Sequence, residues 1–532
     1  MLSVVLWIIL IGPLNTAAAI HNPVRIEEGF ISGVSGRSPQ VRVFKGIPYA
    51  AAPVGKLRWR PPEPAAHWQG VRKADAFGHA CMQETAPAHD NPMYAWLLLK
   101  KPPQDISEDC LFLNVWTAAR SADDRRPVMV FLHGGGFIYG SGAEGLYDGE
   151  ALAKKGVVYV DVNYRLGVFG FLAYPELSME SEHHVSGNYA FLDQIAALRW
   201  VRRNIAAFGG DPARVTIFGQ SAGSRSVIAL TASPLAKGLF QRVISESHGY
   251  FGPGAPTLPQ AEQAGLRFAA AAGASSLAEL RSKSADELMK AQVESRFRAN
   301  LTIDGWFMPA EIYTIFAAGK QNDAAVIAGS TSDESSGYSK PITTAAFIDV
   351  ARRRYGRHAE TFLKFYPADS NEEAMKSEIL SGTDQNGAYE ARAFAQLQAR
   401  TGKGKSYLYL FSHKPPVAGP DSAVYDGVFH GAELYYVFQQ YDFRSDWAWT
   451  EADRKLGDII SSYWVNFAAN GNPNGKGLPK WPGYNDNTQE LMNFGSHVSV
   501  VPEPRKAELD FFETVFHPQG DPISGRMAQG TQ

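Results

Sequence analysis

Gly219-Gln220-Ser221-Ala222-Gly223 is the one G-x-S-x-G in the chain, and it follows the β-rich run Val215–Phe218 directly. A helical stretch from Ala222 to about Leu230 comes next. A strand that turns sharply into a helix needs small residues on both flanks, because a Cβ there would collide with backbone. Such a turn lifts Ser221 Oγ out of the sheet and aims the helix N-terminus at an oxyanion formed beside it. The second element is His133-Gly134-Gly135-Gly136-Phe137, after the apolar run Val128–Leu132. Consecutive glycines can present backbone N–H groups to a tetrahedral oxyanion. A phosphate cradle would instead require G-x-x-x-x-G-K-[ST], and no lysine follows here.

A serine hydroxyl needs a base, and the base needs an acid to orient it. On a strand–elbow–helix scaffold the chain order is Ser, acid, His. The adjacent pair Asp333-Glu334 follows the apolar run 324–329, where ligands gather at strand C-termini, and either carboxylate could serve. The histidines beyond it are His358, His413, His430, His497 and His517. His358 lies in an arginine-rich run and reads as solvated, His517 reads as part of a polar tail, and His497 has no distinguishing context. His413 and His430 both follow strand- or loop-like segments, and the pattern does not separate them.

The elements that must carry these groups alternate between strand-like and helical runs. Val128–Leu132, Val157–Val162, Val215–Phe218, 324–329 and 407–411 are short and apolar, as strands buried on both faces are. Phe191–Ile205 has helical spacing, and Asp211-Pro212 reads as a turn. The alternation predicts an α/β fold with a mostly parallel central sheet flanked by helices. No linker divides it, so residues 20–532 read as one domain with loop insertions and a short polar C-terminal tail.

Composition agrees. Of 532 residues 45% are hydrophobic and 20% charged, which excludes a disordered or coiled-coil chain. A net charge of −3 argues against a nucleic-acid binder, which would carry a basic excess. Residues 1–19 read as a signal peptide: Val4–Gly12 is uncharged and apolar, and Ala17-Ala18-Ala19 supplies an A-x-A cleavage site. That run is too short for a transmembrane anchor, which needs about 20 residues. The expected location is secreted or periplasmic. The two cysteines, Cys81 and Cys110, are expected to pair in such an oxidising compartment. There is no HExxH or CxxC, so neither a metal nor an organic cofactor is expected.

From about residue 24 to 515 the chain resembles type-B carboxylesterases, the α/β-hydrolase group that includes cholinesterases and bacterial p-nitrobenzyl esterases. The likeness is carried by FKGIPYAAAPVG at 44–55, LRWRPP at 57–62, SEDCLFLNVW at 107–116 and HGGGF at 133–137. It continues through NYRLGVFGFL at 163–172, the run from 187 to 224, and WPGY at 481–484. The resemblance implies Ser221 as nucleophile, Glu334 as acid and His430 as base, with Gly135, Gly136 and Ala222 N–H groups as the oxyanion hole. It also implies a Cys81–Cys110 disulfide and buried ion pairs Arg58–Glu108 and Arg165–Asp193.

The implied activity is hydrolysis of a small-molecule carboxylic ester through an acyl-enzyme. Amide, carbamate or thioester cleavage is the alternative within the same chemistry. A non-catalytic cholinesterase-like binding protein would typically lack the nucleophile. Cholinesterases have three intrachain disulfides where this chain can form one, and Trp96 in the loop 82–109 does not align with their choline-binding Trp. Gln220 stands where they have Glu, which removes a charge favouring cationic substrates. After Ser247 the family usually has Gly; here it is His248, expected to be packed or solvated. Arg225, four residues past Ser221 on the same helix face, is expected to be buried and paired with an acid, the alternative being contact with an anionic substrate group.

Overall fold

A computed structural model describes residues 20–84, 105–336, 341–418 and 427–518. The expected signal peptide, Trp96 and the tail beyond residue 518 lie outside the described residues. An eleven-stranded sheet forms the centre. In chain order its strands are β1 (Val34–Ser35), β2 (Arg42–Pro48), β3 (Phe112–Thr117), β4 (Arg126–Leu132), β5 (Val158–Val162) and β6 (Gly210–Gln220). They continue with β7 (Arg242–Glu246), β8 (Ala325–Thr331), β9 (Ser406–Phe411), β10 (Glu490–Phe494) and β11 (Val498–Pro502). The spatial order is β1-β2-β3-β5-β4-β6-β7-β8-β9-β10-β11. From β5 to β10 every neighbouring pair is parallel, while β1, β2, β3 and β11 extend the two edges antiparallel.

The expected parallel core is present, and its strands are apolar on both faces for the expected reason. Val128, Val130 and Leu132 pack into one hydrophobic cluster, and Met129 and Phe131 into the other. Helices α1 (Tyr189–Asn204), α2 (Ala222–Ala232) and α3 (Tyr389–Thr401) cover the first face; α4 (Glu451–Asn470) covers the second. The start of α4 is fixed by a capping box, in which Thr450 and Asp453 satisfy each other's backbone N–H groups.

Three expectations shift. The strand entering the elbow begins at Gly210, five residues before Val215, with a register break between Gly210 and Val215 rather than a separate turn at Asp211-Pro212. The helix expected over 191–205 spans Tyr189–Asn204 and tightens into a 3-10 turn at Ile205–Phe208. β7 carried no legible signal, because Arg-Val-Ile-Ser-Glu has polar residues at central-strand positions. Ser245 and Glu246 are buried with partners from other elements: Ser245 Oγ meets Ser224 Oγ at 2.6 Å, and Glu246 Oε1 accepts from Trp464 Nε1 at 2.7 Å.

Cys81 and Cys110 are bonded, with Cα atoms 4.9 Å apart. Closing a loop of this length removes unfolded-state freedom worth about 3–4 kcal/mol on the chain-entropy model. Both expected ion pairs are also present. Arg165 grips Asp193 through Nε and a terminal nitrogen at 2.8 and 2.7 Å, and Arg58 Nε donates to Glu108 at 2.7 Å. No described helix is long and apolar enough to cross a membrane.

Candidate active site

Ser221 stands at the junction of β6 and α2, as the N-cap of that helix, with φ 59° and ψ −117°. A non-glycine residue in this region carries strain of order 1–3 kcal/mol, which the surroundings must hold in place. They do so by hydrogen bonds: Ser221 N donates to the Glu246 carbonyl at 2.9 Å, and its own carbonyl accepts from Arg225 N at 3.0 Å. The flanking glycines are required by contact. A Cβ at Gly223 would run into the Leu132 carbonyl, and one at Gly219 would lie 2.6 Å from both the Leu132 oxygen and the Gly223 carbonyl carbon.

The glycine loop lies against this turn. A Cβ at Gly134 would sit 3.2 Å from Ser221 Cβ, and Gly135 at φ 108° bends too tightly past the Tyr139 carbonyl for any side chain. Gly136, also at positive φ, is exposed. His133 is no second base. It is buried, stacked on Tyr164 at 4.4 Å, and its Nδ1 faces the Gly134 carbonyl at 2.8 Å. Burial brings its imidazole down to about 4.

Of the two histidines that pattern left open, the fold brings His430 to Glu334: Nδ1 is hydrogen-bonded to Oε2, and both residues are buried. His413 is on other duty. Its Nε2 meets Asp453 Oδ1 at 2.8 Å, bracing the start of α4. The two adjacent acids separate as clearly. Glu334 Oε1 accepts from Thr331 N at 2.7 Å and from the Ser247 hydroxyl. Asp333 Oδ2 accepts from Val428 N at 2.8 Å and Ser332 Oγ at 2.9 Å, so it anchors the segment that delivers His430. Among the other histidines, His497 is exposed and His358 half-buried, while His517 closes the helix Lys506–Phe516 and bonds the Phe251 carbonyl at 2.6 Å.

Behind the pair lies a set of buried acids that sequence reading passed over. Burial would raise the Glu334 carboxyl, but the adjoining His430 imidazole, with the hydroxyl of Ser247, holds it below the ordinary carboxylate range. Burial pushes Glu246 up to about 8, and burial together with Glu334 and Glu246 pushes Glu433 well up. Ser247 has one proton, which goes to Glu334. Its oxygen also lies 3.4 Å from Glu433 Oε1. The available signal was spacing: Glu433 falls one turn after His430.

Two departures noted in the sequence acquire places. Gln220 presents its amide nitrogen 3.0 Å from His430 Nε2, an uncharged group facing that imidazole. His248 is packed, as expected, but against His430 itself: the rings meet edge to face at 4.8 Å, and His248 Nδ1 is buried without a partner among the described residues. Burial, then the nearby His430 and Arg225, push the His248 imidazole well down, so it is neutral. His248, Glu334 and His430 form the one close cluster of possible metal ligands among the described residues. Both Glu334 oxygens are already engaged, so the cluster reads as an acid–imidazole pair with a neighbouring ring. The expected acid partner of Arg225 is not there. The guanidinium lies over the Tyr250 ring at 5.3 Å and enters no ion pair among the described residues.

Residues 21–512 match the model of the Carboxylesterase family. The chain is 34% identical over 519 residues to Fumonisin B1 esterase of Sphingopyxis macrogoltabida, covering 93% of this chain and 91% of that protein. It is 35% identical over 507 residues to Para-nitrobenzyl esterase of Bacillus subtilis (strain 168), covering 91% and 97%. A solved PNB esterase superposes with a TM-score of 0.78 at 32% identity, over 92% of this chain and 99% of that one. Likeness sustained at this level over almost the whole of both chains, on a sheet that sets an elbow serine beside a glycine loop, means that the chain belongs to the carboxylesterase family.

Proposed function

We propose that this carboxylesterase cleaves carboxylic esters with Ser221 as nucleophile, His430 as general base and Glu334 as the orienting acid. The observation that carries the reading is the buried Nδ1–Oε2 hydrogen bond between His430 and Glu334. With Nδ1 turned to Glu334, Nε2 is the nitrogen that takes the Ser221 proton as the hydroxyl attacks the ester carbonyl. Backbone N–H groups of Gly135, Gly136 and Ala222 stabilise the oxyanion, a kind of contribution that costs about 10²–10³ in turnover when one donor is lost. The imidazolium then protonates the leaving alcohol, and water repeats the sequence on the acyl-enzyme. Glu334 stays ionised and stabilises the imidazolium.

Glu334→Gln is expected to lower turnover of a para-nitrophenyl ester by about 10⁴-fold, because an amide holds the wrong tautomer. Asp333→Asn keeps an acceptor for Val428 N and is expected to stay within about tenfold of wild type, well short of a triad loss. Turnover of both variants, with thermal midpoints as folding controls, decides between the acids. A crippled Asp333→Asn beside a normal Glu334→Gln would reverse the assignment.

The export reading is a second proposal, supported by the apolar run Val4–Gly12, the A-x-A site and the oxidised pair Cys81–Cys110. The mature chain is expected to begin near Ile20. The intact mass of protein from its native host checks this; a full-length mass carrying the initial segment would end it.

A further inference from the structure

The unpaired Arg225 opens onto a cavity of about 600 Å³. Two stretches of its lining are continuous in sequence with residues of the proposed site or packed on it. On one, Arg225 follows Ser221 by a single helical turn, and Gly249 follows the His248 ring packed on His430. On the other, Gln385 and Asn386 precede Gly387, whose Cβ position would lie 2.6 Å from Glu334 Cγ.

The lining is strongly one-signed. Arg353, Arg354 and Arg357 join Arg225 around it, and Glu390 is the one carboxylate among the lining residues. Arg353 is neutralised by Asp349 at 3.0 Å, but Arg354 and Arg357 enter no ion pair among the described residues. Glu390 feels the charge of Arg225 but forms no ion pair with it among the described residues. Its oxygens accept from Phe251 N at 2.7 Å and Gly252 N at 3.1 Å, and burial pushes its carboxyl up to about 7. Arg225 Nε is meanwhile buried with no hydrogen-bond partner. A buried charged donor left unpaired is costly, and cations that converge on a cavity beside a reacting centre are the usual device for gripping a carboxylate.

Resting on the ester-hydrolase reading above, we infer that the preferred substrates are esters bearing a second, free carboxylate, which Arg225 and the rim arginines Arg354 and Arg357 hold in this cavity while Ser221 attacks the ester bond. Arg225 supplies the inner hydrogen bonds, and the exposed rim draws the anion in. The grip belongs to binding, so its loss is read mainly in KM.

The test compares mono-para-nitrophenyl glutarate, whose acyl chain ends in a carboxylate, with the neutral para-nitrophenyl pentanoate; 4-carboxyphenyl pentanoate places the charge on the alcohol side. Wild type is expected to favour one of the two anionic esters in kcat/KM. Arg225→Gln is expected to cut that anionic-to-neutral ratio by roughly 10- to 100-fold, the range of a charge-assisted hydrogen bond. Should Arg225→Gln not fold, the double variant Arg354→Gln/Arg357→Gln at the exposed rim reads the same ratio. Hydrolysis of the neutral ester with no anionic preference, or a ratio unmoved by these substitutions, overturns this inference and leaves the esterase reading standing. Folded wild type that hydrolyses none of the three esters overturns the esterase reading itself.

Discussion

Ser221→Ala is expected to lower turnover of a simple aryl ester by about 10⁵–10⁶-fold with little change in stability. The size follows from the way a triad works. With the hydroxyl gone, His430 has no proton to accept, and what remains is substrate binding and the oxyanion donors. The stability expectation follows from the elbow. Ser221 is held at φ 59° by backbone hydrogen bonds from its N–H and to its carbonyl, and its side chain caps no N–H of α2. Alanine has the same Cβ and inherits the same strain, so the fold should tolerate it. Single-turnover kinetics with a thermal midpoint measures both. Wild-type turnover by a verified alanine variant would end the serine mechanism.

Replacing His430 is expected to cost as much, about 10⁵–10⁶-fold, whereas His413→Ala should stay within a few-fold of wild type. His430→Gln is the better variant than alanine, because it keeps volume in a buried site. Truncation would also strand the Glu334 carboxylate, and breaking a buried pair costs about 3–5 kcal/mol. His413 is partly exposed, and its partner Asp453 keeps hydrogen bonds from Thr450 and Tyr436 when the ring is removed. Its loss should therefore appear as a modest fall in thermal midpoint. A folded but inactive His413→Ala beside an active His430→Gln would overturn the assignment of the base.

The buried acids near His430 give the site a direction of charge. Glu334 is held below the ordinary carboxylate range while burial pushes Glu246 and Glu433 up, so the three acids differ in how readily they ionise. Three carboxylates charged together so close would repel, and burial removes the water that would screen them. Ser247 lies between Glu334 and Glu433 and keeps the Glu334 carboxylate aimed at His430.

The scaffold and the elbow that carries the proposed nucleophile were legible along the chain. Strands buried on both faces read as continuous apolar runs, and the elbow needs its small residues within five positions of Ser221, so both signals are local. The same holds for the glycine loop, whose function rests on backbone that one short segment supplies. The proposed base and acid were legible only as pairs of options. His413 with His430, and Asp333 with Glu334, have similar surroundings along the chain, and resemblance to a family, not spacing, separated them.

Everything that depends on partners distant in sequence came only with the fold. Glu334 lies 96 residues from the imidazole it holds, while its neighbour Asp333 turns to the backbone of Val428. β7 was invisible because its buried Ser245 and Glu246 have their partners, Ser224 and Trp464, on other elements. Arg225 was expected to be paired, and the fold instead leaves it facing a cationic cavity, with Glu390 committed to backbone N–H groups. Hydrophobic periodicity and turn chemistry are written into neighbouring residues, so a chain can be read for them. Which polar group meets which is a property of long-range packing, and no local pattern encodes it.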